Sequence, residues 1–594
     1  MLTTKLHIPA RRVWILLGAV TAAFHLGLIF YGLVPNLVAR PLHMALILPW
    51  IFLFSGGGVI ARLWGAVLTT IGVLACLWVA FHHQMLRNQY GFLESDAQVW
   101  LAVALLVVTM EGARRSIGWP LPLVALAALA YGVLGQHIPG QFGHAGTPLR
   151  SFLGTLTIAE GGLWGSLTGV SVSIVAVFVI FGAVLNAGEA GQGFMNVASA
   201  AAGRLKGGAA KVSVLSSALF GSISGSASAN VASTGAITLP AMTKLGYPKR
   251  LAAATEAVAS SGGQIMPPLM GAGAFVMVEL TGVPYSQIML AALLPAILYF
   301  LTVWQGINAF AQRYDLQPIP KENQPTRRQV LITSGFFFVP FATLLITMFG
   351  VGYTPQYSAA LAIFAALAVL FIDISLRPNL SQGLTRLADA ALNAGKQVAM
   401  IGSIILCASI IIGVLGITGL GVKITSAILS GSGGALWPAL LLTALACLLL
   451  GMEVPTTAAY VICVSVAGPA LIELGLAPLQ AHLFVFWFAL LSTITPPVCG
   501  AVFIAAGMVQ ENWLRVALTA MALGVGLYII PLAMIANDAL LHLSSDTVPA
   551  LIAFGLVALG LSAISHGLIG NRAWPYRIAL CGMGLALCLF RPGF

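Results

Sequence analysis

SSGGQIMPPLMG, residues 260–271, interrupts an otherwise apolar run, and a second interruption, STITPPVCG at 492–500, matches it later in the chain. At the first, Pro267 and Pro268 remove two backbone donors, and the preceding Gly262–Gly263 pair permits an unwound turn. In hydrocarbon, backbone without helical hydrogen bonds is tolerated only where protein buries it or a watery cavity receives it. Two such breaks with the same Pro-Pro core therefore set the question of the fold.

The solvent around these breaks follows from composition. Only 7% of the 594 residues are charged and 59% are hydrophobic, whereas soluble domains carry roughly 25% charged residues. The apolar runs have about the 20 residues that a membrane helix needs. They are continuous and not alternating, which excludes a closed β-barrel. The net charge of +11 does not indicate nucleic acid, because Lys and Arg sit in short loops between apolar segments, the positive-inside pattern. The seven cysteines form no CxxC pair, so neither disulfides nor a thiolate metal site is expected.

With the N-terminus placed in the cytoplasm, spans fall near 13–34, 43–61, 64–82, 98–113, 119–136 and 168–188. Residues 212–243 are apolar but carry SISGSASANVASTG, and Lys211 on one side and Lys244, Lys249 and Arg250 on the other put both ends on one face. This segment is expected to be a re-entrant helical hairpin. The broken span 251–279 follows, then spans near 285–307, 330–350, 358–375 and 397–418, with Arg386 in a loop before the last. Residues 435–474, containing GMEVPTT, read as a second hairpin entering from the opposite face. After it come a broken span at 479–508 and spans near 515–536, 549–567 and 578–592, which leave the C-terminus external.

The two halves repeat one another. Pro267–Pro268 and Pro496–Pro497 are 229 residues apart, as are Gly271 and Gly500, and Gly225 and Pro455 are 230 apart. Inverted repeats with discontinuous helices mark secondary transporters, whose substrate and ion sites lie at the repeat interface. The expected fold is an all-α polytopic membrane protein of the elevator type, with two re-entrant hairpins and two broken helices. Helix N-termini at the breaks would face anions, and unwound carbonyls with Ser and Thr hydroxyls would supply hard oxygens to a small cation such as Na⁺. A single Pro-Pro or Gly-Gly is more often a packing kink, and small residues such as those at 221–235 are commonly packing surfaces. Four breaks matched in order and spacing outweigh that reading. His482 stands alone, with no second ligand at metal spacing.

The block FGSISGSASANVASTGAITLPAMTKLGYPKRLAAATEAVASSGGQIMPPLMGAGAFVMVELTGVPY (220–285) resembles the large membrane subunit of tripartite ATP-independent periplasmic (TRAP) transporters. EAVASSGGQIMPP with GAGAFVMVELTGVPY looks most like the TAXI branch, in which small and large subunits are fused into a 4TM/12TM permease. VFVIFGAVLNAG, GRLKGGAAKVSVL, LGMEVPTTAAY and TITPPVCGAVFIAA extend the likeness. It divides the chain into a small-subunit-like scaffold at 1–116, a large-subunit-like part at 117–540 and a two-helix extension at 541–594. The resemblance implies a bacterial inner-membrane permease that is not an enzyme. It would take up an organic acid or amino acid, driven by an ion gradient, usually Na⁺, without an organic cofactor or a metal beyond Na⁺. A periplasmic TAXI-type binding protein would deliver the small carboxylate to this single fused chain.

Carried over by position, one ion site would use Ser224, Ser226 and Asn230 with Gly263, Met266 and Pro268. The other would use Gly451, Val454 and Thr457 with Ser492, Thr495 and Pro497. Gln264, Thr456 and Thr495 would meet substrate. Glu453 stands where the family usually has glycine, and three readings of it stay open. It is solvated at the mouth of the hairpin, it compensates charge at the second cation site, or it titrates and makes the carrier proton-coupled. The rival architecture is an elevator carrier of the divalent-anion/sodium symporter type, which works without a binding protein. An intramembrane protease is disfavoured: residues 222–225 read S-I-S-G, not G-x-S-G, and there is no HExxH.

Overall fold

A computed structural model describes residues 8–54, 58–451, 456–496 and 499–590. Among these residues the regular secondary structure is helical, apart from an isolated bridge between Ile372 and Pro378. Twelve helices among them are long and apolar enough to cross a membrane, so the protein is an all-α, multi-pass membrane protein. Helices satisfy every backbone group within the segment, which is what hydrocarbon demands. Polar caps open three of them: Ser95 accepts from the Gln98 amide, Asn379 from Gln382, and Asn512 from Leu514 and Arg515.

Contacts divide the chain into two compact units. One comprises Met1–Gly188, Val339–Gly433 and Ser465–Ala470, and the other Glu189–Phe338, Gly434–Val464 and Leu471–Phe594. The first is organised on the 39-residue helix Leu380–Thr418. Ile8–Tyr31, Asn36–Pro49, Asp96–Ile117, Pro120–Leu134 and Ala176–Ala187 all pack against that helix. Small residues allow the close approach: a Cβ at Gly18 would lie 2.2 Å from the Ala391 carbonyl oxygen. Two buried histidines brace the first helices, with His43 Nδ1 3.2 Å from His25 Nε2 and His43 Nε2 3.1 Å from Ser171 Oγ.

That long helix corrects the sequence reading at its start. Hydropathy finds only the apolar part from 397, whereas the helix begins at Leu380 behind its Asn379 cap. At about 1.5 Å per residue it runs for about 58 Å, well beyond a hydrocarbon core of about 30 Å. Arg386, assigned to a loop, is a buried helical residue. Its Nη1 donates to the carbonyls of Leu370 (3.1 Å) and Ile372 (2.9 Å), at the C-terminal end of Pro355–Leu370. A cation there satisfies carbonyls that the helix leaves free. Arg386→Met is expected to destabilise the protein by about 1.5–3 kcal/mol, the range for hydrogen bonds to a charged group. Thermal unfolding in detergent would show a lowered midpoint, while Arg377→Met, at an exposed position, would leave it in place.

The second unit holds the segments around both Pro-Pro breaks. Gly208–Ser224 and Ala227–Lys244 pack as a helical hairpin turned at Gly225, whose φ of 60° suits a residue without a side chain. Lys249–Gly262 stops at a short 3₁₀ turn over 263–265, and the helix resumes only at Ala272–Thr281. Pro478–Leu490 likewise ends in a 3₁₀ turn over 491–493 and resumes at Gly500–Val509. Leu436–Leu450 and Thr456–Glu473 flank residues 452–455, which lie outside the described residues. The last two helices, Thr547–Ile569 and Trp574–Leu589, pack on each other, and the first of them also packs on Tyr285–Tyr314.

Candidate functional site

The first hairpin is pressed onto the first break by missing side chains. Gly221 and Gly263 cross so closely that a Cβ on either would lie 2.4 Å from the other's Cα. At the turn, a Cβ on Gly225 would stand 3.4 Å from Gly271 Cα. Asn230, fully buried, donates from Nδ2 to the Ser217 carbonyl at 3.0 Å and so ties the two arms together below the turn. Ser226 caps the second arm, its Oγ accepting from the Ala229 amide at 3.4 Å.

Across the break the chain is held by its own polar groups. The Gln264 carbonyl accepts from the Gly271 amide at 2.8 Å. Tyr285 Oη lies 2.7 Å from the carbonyl oxygens of both Pro268 and Leu269 and shares its one proton between them. Met266 is extended, so its carbonyl does not join a helical ladder. Gln264 is buried beside this loop.

The second break reaches the first. Thr493 Oγ1 donates to Ser261 Oγ at 2.8 Å, joining the two interrupted helices just before each break. Thr495 Oγ1 is 2.7 Å from Tyr528 Oη. A Cβ on Gly500 would meet Ser228 Oγ at 3.8 Å, which places the start of Gly500–Val509 beside the first hairpin's turn. A Cβ on Gly451 would stand 3.3 Å from Ser492 Cβ, so the first arm of the second segment ends at the second break. Tyr460 Oη pairs with His482 Nδ1 at 2.8 Å, which gives that histidine a bracing role.

Of the residues expected to bind ions or substrate, Asn230, Gly263, Met266 and Pro268 gather with Ser226 around the first break, beside Gln264. Gly451, Ser492 and Thr495 gather around the second. Thr456 and Thr457 begin the helix Thr456–Glu473 and are half-buried. Ser224 ends Gly208–Ser224. Glu453, Val454 and Pro497 lie outside the described residues. Among the described residues, no group of three or more His, Cys, Asp or Glu side chains could hold a metal ion.

One polar cluster escaped the sequence reading. Glu256 is fully buried, and Ser213, Ser217, Thr234, Thr238 and Ser260 all direct hydroxyls at its carboxylate. The available signal was periodic: Ser213 and Ser217, then Thr234 and Thr238, each recur at i and i+4 on the two hairpin arms and so share a helix face.

The family described as "Tripartite ATP-independent periplasmic transporter, DctM component" matches residues 102–549. The C4-dicarboxylate TRAP transporter large permease protein DctM of Pseudomonas aeruginosa is 26% identical over 54% of this chain and 74% of its own length. The permease of the same description from Vibrio cholerae is 24% identical over 70% of this chain and 91% of its own. The isethionate TRAP transporter permease protein DctMQ of Oleidesulfovibrio alaskensis is 24% identical over 58% of this chain, and the match spans 54% of that relative. The match covers most of the chain and contains both breaks, and with it the chain belongs to the DctM family of TRAP transporter large permeases, which are secondary transporters of small organic acids and not enzymes.

Proposed function

We propose that the protein is a TAXI-type fused permease of a bacterial inner membrane. It takes up an organic acid or amino acid, handed over by a periplasmic binding protein, at the expense of a sodium gradient. The observation that carries this reading is the meeting of three interruptions in one unit. The first hairpin's turn lies against both helix breaks, and Thr493 links those breaks through Ser261. In this reading the segments 208–244 and 436–473 are re-entrant hairpins of inverted repeats, and they move with the broken helices as an elevator. The 1–116 helices belong to the scaffold, in keeping with their place in a different compact unit from the breaks.

Ser224, Ser226 and Asn230, with the break at Gly263, Met266 and Pro268, form the first sodium site. Gly451, Val454 and Thr457 with Ser492, Thr495 and Pro497 form the second. Substrate carboxylate is met by Gln264, Thr456 and Thr495 and by the helix N-termini at Ala272 and Gly500. Each sodium entering with the membrane potential contributes about 2.3 kcal/mol per 100 mV, so two sodiums with a monoanion make uptake electrogenic. Glu453 tunes the choice of ion at the second site.

Proteoliposomes containing the purified permease test this directly, with labelled succinate and glutamate as acid and amino-acid probes. Uptake of the correct class is expected only with both the binding protein and an inward sodium gradient. Uptake without any soluble partner would instead establish the binding-protein-independent symporter. Uptake driven equally by a proton gradient at fixed sodium, and lost in Glu453→Gln, would replace sodium by protons.

A further inference from the structure

Glu256 has no part in the sodium and substrate sites just described, yet it is the most completely enclosed carboxylate among the described residues of the second unit. It sits on Lys249–Gly262 and reaches both arms of the first hairpin. Oε2 accepts from Ser213 Oγ at 2.7 Å and from Thr238; Oε1 faces Thr234, Ser260 at 3.3 Å and Ser217 at 3.4 Å. An ionised carboxylate offers about four lone-pair sites, and five hydroxyls converge on it. At least one hydroxyl must therefore be able to turn elsewhere.

The alternative acceptors are in place. Thr234 Oγ1 lies 2.8 Å from the Asn230 carbonyl, and Thr238 Oγ1 lies 3.0 Å from the Thr234 carbonyl. Each threonine has one proton to give. It can point to the carboxylate, or back along its own helix. When it points back, its oxygen is free to accept an O–H from Glu256. The cluster is thus completely hydrogen-bonded with the carboxyl ionised, and again with it protonated.

A buried charge is normally paired or neutralised. The ion pairs among the described residues all lie elsewhere. The helices and the turn packed against Lys249–Gly262 carry Lys211, Lys244, Tyr285, Tyr299, Arg313, Tyr314 and Arg515. Lys211 Nζ stands over the Trp304 ring, Tyr299 donates to the Val258 carbonyl, and Arg250, on Glu256's own helix, bonds Tyr314. None of them is a hydrogen-bond or ion-pair partner of Glu256. The spacings within the cluster are those of direct hydrogen bonds. Ser213 Oγ is 2.7 Å from the carboxylate, and Ser217 and Thr234 are 3.2 Å apart.

We propose that Glu256 is a proton-binding site of the unit that carries the helix breaks. One proton from water converts the carboxylate to the acid, whose O–H donates to Thr234 Oγ1 while the Thr234 proton turns to the Asn230 carbonyl. Release reverses these steps. The same group clasps both arms of the first hairpin to the first interrupted helix, so the proton is held at the joint behind the Asn230 brace. This assignment rests on the transporter reading for its consequence alone, because the proton can be observed without transport.

The test is infrared difference spectroscopy of the full chain in lipid nanodiscs, titrated through neutral pH in H₂O and D₂O. A carboxylic-acid C=O band that shifts in D₂O is expected to appear on acidification and disappear reversibly on return. It should be lost in Glu256→Gln and kept in the control Glu473→Gln, an exposed position. Thr238→Val, which removes one donor, should move the same band in frequency and leave its amplitude; this variant decides the matter if Glu256→Gln does not fold. Absence of the acid band at every pH would show a permanent carboxylate, and a band unchanged at every pH a permanent acid. Either result overturns the proposal, as does a band that Thr238→Val leaves in place.

Discussion

Gly263→Val is expected to abolish uptake and to lower the thermal midpoint of the purified protein. The first Cβ would already lie 2.4 Å from Gly221 Cα, 3.0 Å from the Ser217 carbonyl oxygen and 3.1 Å from Asn230 Nδ2. Two of these three atoms are backbone, so moving a side chain cannot relieve the clash. Overpacking of ordinary side chains costs about 1–3 kcal/mol, and a backbone clash on both sides of a crossing belongs at or above the top of that range. Gly335→Val is the control, because no neighbouring atom lies within 4 Å of a Cβ placed there. Uptake and midpoint near wild type for Gly263→Val would mean that the hairpin and the break do not touch in the working protein.

Asn230→Ala is expected to have the next largest effect, and to act on ion use more than on folding. Its amide bridges the two arms beneath the turn, and the residue is fully buried. Removing it leaves the Ser217 carbonyl without that donor and a small void beside Gly221. A lost hydrogen bond of this kind is worth about 0.5–1.5 kcal/mol, and the void adds to it. If that strain falls on the first ion site, the sodium concentration for half-maximal uptake rises about tenfold per 1.4 kcal/mol. Asn230→Asp keeps the shape but loses the donor, and should show the same displacement. Unchanged sodium dependence in both variants would remove Asn230 from the ion site and leave it a structural brace.

Several features of this site were readable because they are local. Gly-Gly and Pro-Pro interruptions break helices wherever they occur, so both breaks appear where 260–271 and 492–500 place them. The hairpin turn at Gly225 was similarly visible in SGSASAN. Other features depend on partners far away in the chain. Glu256, inside the moderately polar stretch TEAVASSGG, drew no notice because its five partners come from three helices. Glu453, alone among apolar residues, is conspicuous in the sequence and lies outside the described residues. Arg386 misled for the converse reason. An arginine normally marks a loop in such chains, but here two free carbonyls at a helix end receive it inside the fold. Hydropathy also misplaced the start of Leu380–Thr418, since it registers only the part in contact with apolar surroundings.

Alternating exposure of the first hairpin's turn is the central claim, and a cysteine at Ser228 reads it most directly. Ser228 is exposed at the turn, while six of the seven native cysteines are buried and Cys581 is half-buried. Ser228→Cys, with Cys581 replaced by serine, would be labelled in proteoliposomes with a membrane-impermeant thiol reagent applied to one face at a time. The account predicts labelling from both faces, in a ratio that shifts when the sodium gradient is reversed. Labelling from a single face under every gradient would show a hairpin that never changes sides, and would contradict it.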